Sequence, residues 1–158
     1  MQRNVPGILW FLLLIFLLAC KPDINKEKLK QELIDLHNNQ IKAHWDKDIT
    51  FFTKDLASDY WQVARGEISF PEVNEIRDRF TSYLNSTSFT KYENIEEPMV
   101  RISDDGSMAW IIVKVKIEGE SIVSDTSDRL LDFTCAWITL YNREDGKWIR
   151  QGEVSTFR

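Results

Sequence analysis

Histidine is scarce in this chain, at positions 37 and 44 alone, and the two stand seven residues apart in a stretch with helical periodicity. At 100° per residue, seven positions bring them within roughly 20° of each other, two turns apart, with Gln40 on the same side. Imidazole changes charge near neutral pH, so this strip has two chemistries open to it. It can hydrogen-bond a ligand, or it can move a proton as a general acid or base. Leu33 and Leu36 border the strip, which places it on the face that should meet the rest of the fold. His37 is expected on a partly wet overhang. For His44, near the helix end, a pocket wall and a partly wet position both stay open. A shared metal ion is not expected, because seven helical residues separate the rings by about 10 Å along the axis. No Cys/His cluster has zinc spacing, and neither a metal nor a cofactor is expected.

Proton transfer would need a partner. Glu153 is open to two readings, an interior base with a raised pKa or a charge on the rim, and the rim is the default. Alternation on the last strand puts Ile149, Gln151, Glu153, Ser155 and Phe157 on one face, and Trp148, Arg150, Gly152, Val154 and Thr156 on the other. Neither face is cleanly apolar. Asp132 interrupts the apolar run "LLDFTC", and either points inward or pairs with a neighbouring Arg or Lys. Trp110 and Trp137 are candidates to line a pocket, although a core role is commoner for such residues. Cys135, inside "DFTCAWITLY", is expected to be a buried, inert thiol. No phosphate-cradling glycine loop and no nucleophile elbow is present.

These side chains must be positioned by an ordered set of elements. Leu29, Leu33, Leu36, Gln40 and His44 form one stripe of a helix over about Lys26 to Asp46. A short helical segment, roughly Ile49 to Leu56, buries Phe51, Phe52 and Leu56. "DYWQVARGEI" predicts a small hairpin turning at Arg65-Gly66. Ser69, Pro71 and Glu72 predict a capping box, opening a helix that carries Val73, Ile76, Phe80 and Leu84. Phe89 to Ile102 is expected to be extended, with Pro98 at a bulge or edge. "MAWIIVKVKIEG", "RLLDFTCAWITLY" and "KWIRQGEVSTF" are strands, and "GESIVSDTSD" is expected to be a long acidic rim loop. The charged stretch "ENIEE" is expected to be plain surface. Helices first and antiparallel strands after make an α+β order. A long hairpin-connected sheet curls, and the first helix covers its concave side.

The N-terminus sets location. Ile8 to Ala19 is an apolar run of 12 residues, where a bilayer span needs about 20. Its length and the preceding Arg3 match a signal peptide. "LLAC", Leu17 to Cys20, resembles the lipobox of bacterial lipoproteins. That resemblance implies cleavage before Cys20, lipid on its sulfur and an acylated amine, and two or more such chains anchor stably. Lys21 stands where some bacteria place an inner-membrane retention Asp, so the expected address is the cell envelope outside the cytoplasm, at the outer rather than the inner membrane. The expected division is a signal peptide at 1–19, a short polar tether at 20–28 and one folded domain at 29–158. Removing 1–19 takes away Arg3 alone and leaves 19 basic against 25 acidic side chains, a net of −6. Such a body excludes nucleic acid as a partner and leaves membrane attachment to the lipid.

The order of helix, short helix, small hairpin, capped helix and long meander resembles the NTF2-like superfamily, in its SnoaL-like or DUF4440-type branch. The matching features are "AHWDKD" leading into "FFTKDLASDYWQV", Gly66, the capped helix, "DG" before a strand, and "GKW" before a last strand ending near Ser155. The resemblance covers roughly Leu29 to Ser155. It implies an NTF2-like (cystatin-like) cone, a curved antiparallel sheet wrapped on a long N-terminal helix, with a pocket at the open end. It does not imply one function, because the fold hosts isomerases, dehydratases, cyclases and silent binding modules. Relatives often carry His on the last strand in a segment like "HxHxS"; here it reads Gly152-Glu153-Val154-Ser155. The departure favours a non-catalytic module that binds a small apolar ligand or a protein partner, the latter including a homodimer through the sheet. His44, Gln40, Trp110, Trp137 and Glu153 are its pocket candidates. The alternative is an acid–base enzyme of isomerase, dehydratase or cyclase type, with His44 paired to Glu153 or Asp132.

Overall fold

The computed structural model describes residues 24–124 and 127–158; the expected signal peptide, Cys20 and the first residues of the expected tether lie outside them. Helix α1, Lys26–Asp46, begins where the Asn25 side chain accepts from the Lys28 N–H, and stops at Lys47, which turns left-handed with φ 56°. A single turn, α2 (Ile49–Thr53), follows, capped by Asp48. It is shorter than its sequence predicts, because Leu56 opens strand β1 (Leu56–Ala64). β1 folds back on β2 (Glu67–Ser69) through Arg65 and Gly66, both at positive φ. That pair of signs is a type I′ turn, whose twist suits a tight hairpin.

Helix α3 spans Val73–Ser86 and its cap is Glu72, not Ser69. Ser69 is the last residue of β2, so it cannot also flank the helix. The Glu75 carboxylate reaches back to accept from the Glu72 N–H at 2.9 Å. Strands β3 (Thr87–Asn94), β4 (Met99–Ile102), β5 (Met108–Ser124), β6 (Ser127–Glu144) and β7 (Lys147–Phe157) complete the chain. Pro98 sits in the break between β3 and β4, where no ladder hydrogen bond is asked of it. The described residues of the stretch read as a rim loop instead prolong the β5–β6 ladder, in which Glu120 faces Leu130 and Ser121 faces Arg129. Ile122 and Leu130 are both exposed there, so no buried face marks the ladder in the sequence.

The strands form one curved sheet in the order β2-β1-β7-β6-β5-β3, with β4 on the same edge of β5 as β3. All pairings are antiparallel except β1 with β7, which is parallel and makes the sheet mixed. Leu29 and Leu33 of α1 pack on the concave face against Val100, Ile111, Val113 and Trp148. A second apolar group joins Ala43, Phe51, Phe52 and Leu84 and closes the helical side with Phe80, Tyr83 and Phe89. No described helix is long and apolar enough to cross a membrane.

Candidate functional site

Two bulges decide which side chains face the interior. In β3, Phe89 pairs with Gly119 and Lys91 with Glu118, so Thr90 is an extra residue. An extra residue reverses the alternation, and Phe89 therefore shares the concave face with Tyr92 and Asn94. In β7, Tyr141 pairs with Arg150 and Leu140 with Gly152, so Gln151 is the extra residue. Strict alternation would put Arg150 and Glu153 on opposite faces. The bulge turns both toward the concavity, Arg150 opposite Tyr141 and Glu153 opposite Thr139.

His44 is 4% exposed and stacks on Tyr92 at 4.1 Å between ring centroids. Phe52, Phe80, Tyr83 and Phe89 meet it edge-on. Its Nδ1 lies 2.8 Å from the Gln40 carbonyl, and its Nε2 lies 3.1 Å from the Tyr92 hydroxyl. A carbonyl can only accept, so Nδ1 carries the proton and Nε2 accepts from Tyr92. Burial drives the His44 pKa down to about 4, since the cage disfavours the cation. His37, expected to be partly wet, is 3% exposed. It donates from Nε2 to Asn94 Oδ1 at 2.7 Å and meets Trp137 edge-on. The helix does not overhang there, because Asn94, in the stretch read as plain surface, turns inward after the Thr90 bulge. Burial lowers the His37 pKa as well.

The second polar group lies on β6 and β7. Arg150 is 7% exposed. It donates to the Tyr141 hydroxyl, which also bonds Thr139, and Thr139 Oγ1 reaches Glu153 Oε2 at 3.4 Å. Burial holds the Glu153 carboxyl above its usual range, and Arg150 and Thr139 pull it back in part. Burial likewise pushes Tyr60 up to about 12. Burial opposes the Arg150 charge, but Tyr141, Tyr60 and Glu153 outweigh it and keep the guanidinium protonated. The Arg150 Nε has no hydrogen-bond partner. A small cleft of about 10 Å³, room for about one water, borders this group, lined by Leu36, Phe51, Lys54, Asp55, Tyr141, Trp148 and Arg150. The Trp148 indole is fixed in that wall by donating to Glu32 at 3.1 Å.

The structure thus separates the residues picked out in the sequence. Trp137 and Glu153 face inward. Gln40 is half-buried and offers His44 its backbone carbonyl. Trp110 does not line the interior. It alternates with buried Ala109 and Ile111, lies on the convex face and sits beneath the Arg101 guanidinium at 5.9 Å. Asp132 is exposed on that face too, ion-paired with Lys116. His44 and a carboxylate do not converge. Cys135 is buried, and burial pushes its thiol up to about 12. Among the described residues no cluster of three metal-binding side chains occurs. Arg150, Tyr141, Thr139, Tyr92 and Asn94 were not legible as site residues, because each needs a bulge or a cross-strand pairing to reach its place.

No family model matches the sequence, and no curated protein matches it either. Solved structures do. An NTF2-like superfamily protein from Salmonella enterica serovar Typhimurium superposes with a TM-score of 0.65 at 13% identity, over 83% of this chain and 92% of its own. An NTF2-like protein from Cytophaga hutchinsonii gives 0.63 at 16% identity, over 80% and 96%. A ketosteroid isomerase-like protein from Erwinia carotovora atroseptica gives 0.59 at 13% identity, over 78% and 91%. The chain therefore has the NTF2-like fold: a long helix and two shorter ones against a curved, mixed sheet.

Proposed function

We propose that this chain is a non-catalytic binding domain, held at the bacterial cell envelope by lipid on Cys20, that takes a small and largely apolar ligand. The observation that carries this reading is the state of His44. Both ring nitrogens are engaged, one by a backbone carbonyl and one by Tyr92. A base needs a free lone pair within reach of the substrate proton, and an acid at neutral pH needs a pKa nearer 7. His44 has neither. The competing reading draws on Glu153, whose burial-raised carboxyl beside Thr139 is the kind of group an isomerase uses.

The test is native mass spectrometry of the processed protein released from lipid nanodiscs, together with an assay of ketosteroid isomerisation. The expected result is a bound small molecule and no turnover. Turnover that disappears in Glu153→Gln, with no bound species, would replace this reading with the enzyme.

A further inference from the structure

We propose that the domain meets the membrane by one fixed end: the start of α1 and the 103–107 and 144–147 turns face the lipid headgroups, and the His44 end points away. The inference rests on the lipid anchor of the reading above and adds the surface that meets the bilayer. Its first support is the place where the folded body grips the chain. Ile24, the first described residue, packs against the main core. A Cβ at Gly106 would lie 3.0 Å from Ile24 Cγ2 and 3.2 Å from Leu29 Cδ1, so Ile24 sits directly on the 103–107 turn. Lys26 is ion-paired with Asp104 of that turn at 2.8 Å. The Arg143 N–H donates to the Ser107 carbonyl at 2.7 Å and braces the turn against the end of β6.

The second support is the length of the tether. Cys20 and Ile24 are four residues apart. A chain extends by at most about 3.3–3.6 Å per residue, so the tether reaches no further than roughly 14 Å whatever its conformation. Helix α1 runs 21 residues away from that point, about 30 Å at 1.5 Å per residue. The domain cannot stand on its far end, because that would lift Ile24 by twice the reach of the tether. Lying on α1 gains nothing either, since its outward side carries exposed Lys30, Asp35 and Lys42 and no apolar strip to bury. Charge does not hold the near end down. Among its exposed residues Glu27, Asp104, Asp105, Glu144 and Asp145 outnumber three lysines, so an anionic surface would repel it. The covalent tether sets the orientation.

The experiment places a fluorescent label on one introduced cysteine of the processed protein in phosphatidylcholine vesicles that carry a nitroxide on part of their headgroups. Cys135 is buried, so the dye goes to the introduced thiol. Glu144→Cys marks the near end, Asp46→Cys the far end and Asp132→Cys the outer face of the sheet. The label at 144 is expected to be quenched about threefold more strongly than the one at 46, since about 30 Å of helix separates the two ends. It should also exceed the label at 132. Equal quenching at all three positions, or stronger quenching at 46 or 132, would overturn the orientation while leaving the anchor in place. Failure of the wild-type protein to float with the vesicles would overturn the anchor and the orientation together. A second variant inserts about ten Gly and Ser residues after Pro22, a flexible spacer of roughly 17 Å. It should bring the three labels closer to equal quenching. An unchanged pattern would show that the near end holds itself to the lipid, and the tether argument would fall.

Discussion

Gly152 is the residue on which the β7 bulge leans, and replacing it tests the bulge directly. A Cβ built at Gly152 would lie 2.1 Å from Trp61 Cε2 and 2.3 Å from Cδ2. Ordinary contact begins at 3.4 Å, so the indole or the strand must give way. Trp61 pairs with Gly152 across the parallel β1–β7 seam, and the strand on the other side of Gly152 is fixed by Leu140. Overpacking of this kind costs about 1–3 kcal/mol. Against that, Gly in a strand is entropically unfavourable relative to Ala by roughly 0.5–1 kcal/mol. Gly152→Ala should therefore destabilise the domain by about 1–2 kcal/mol in a urea titration. The control is Trp61→Leu, which removes the obstructing ring. In that background Gly152→Ala should be neutral or slightly stabilising, a coupling of about 1–2 kcal/mol between the two sites. An equal cost in both backgrounds, or no cost in the wild type, would refute the argument that the indole over Gly152 holds the bulge.

Three further outcomes are expected. The His44 pKa falls from 6.5 unfolded to about 4 folded, so the folded state binds that proton less readily. Its stabilising contribution is full above pH 6.5 and is lost as pH falls toward 4. The drop is about 3 kcal/mol at 1.36 kcal/mol per pH unit, and it is read as the difference between wild-type and His44→Leu denaturation at several pH values, which cancels the other groups; parallel pH curves would contradict it. Glu75→Ala should cost about 0.5–1 kcal/mol through the lost N-terminal acceptor, whereas Ser69→Ala should change the melting temperature by less than the error of the scan. Cys20→Ser should abolish palmitate incorporation in metabolic labelling, and an unlabelled wild type would remove the anchor from the account.

The sequence displays what regular periodicity can carry. The stripe from Leu29 to His44 predicts α1 with its observed bounds, because 3.6-residue repetition is a local signal. The Arg65-Gly66 turn is equally local. The cap of α3 is misplaced because Ser69 satisfies the same pattern as Glu72, and only the pairing of β2 with β1 consumes it. The site was harder to read for one physical reason. Period-two alternation assumes an unbroken ladder, and single extra residues at Thr90 and Gln151 invert it. Glu153 and Arg150, three apart, become neighbours on one face only through such a bulge, as do Phe89 and Tyr92. The mixed character of both faces of the last strand was the visible trace of that inversion.

The central claim is that the His44 cage is not acid–base machinery. The most direct measurement is a heteronuclear NMR titration of the His44 ring in the processed protein. The account predicts a neutral ring protonated on Nδ1 through the physiological range, with Nε2 accepting a hydrogen bond and protonation only near pH 4. A ring protonated on Nε2, or one that titrates at or above its usual 6.5, would contradict it and favour the acid–base reading of His44.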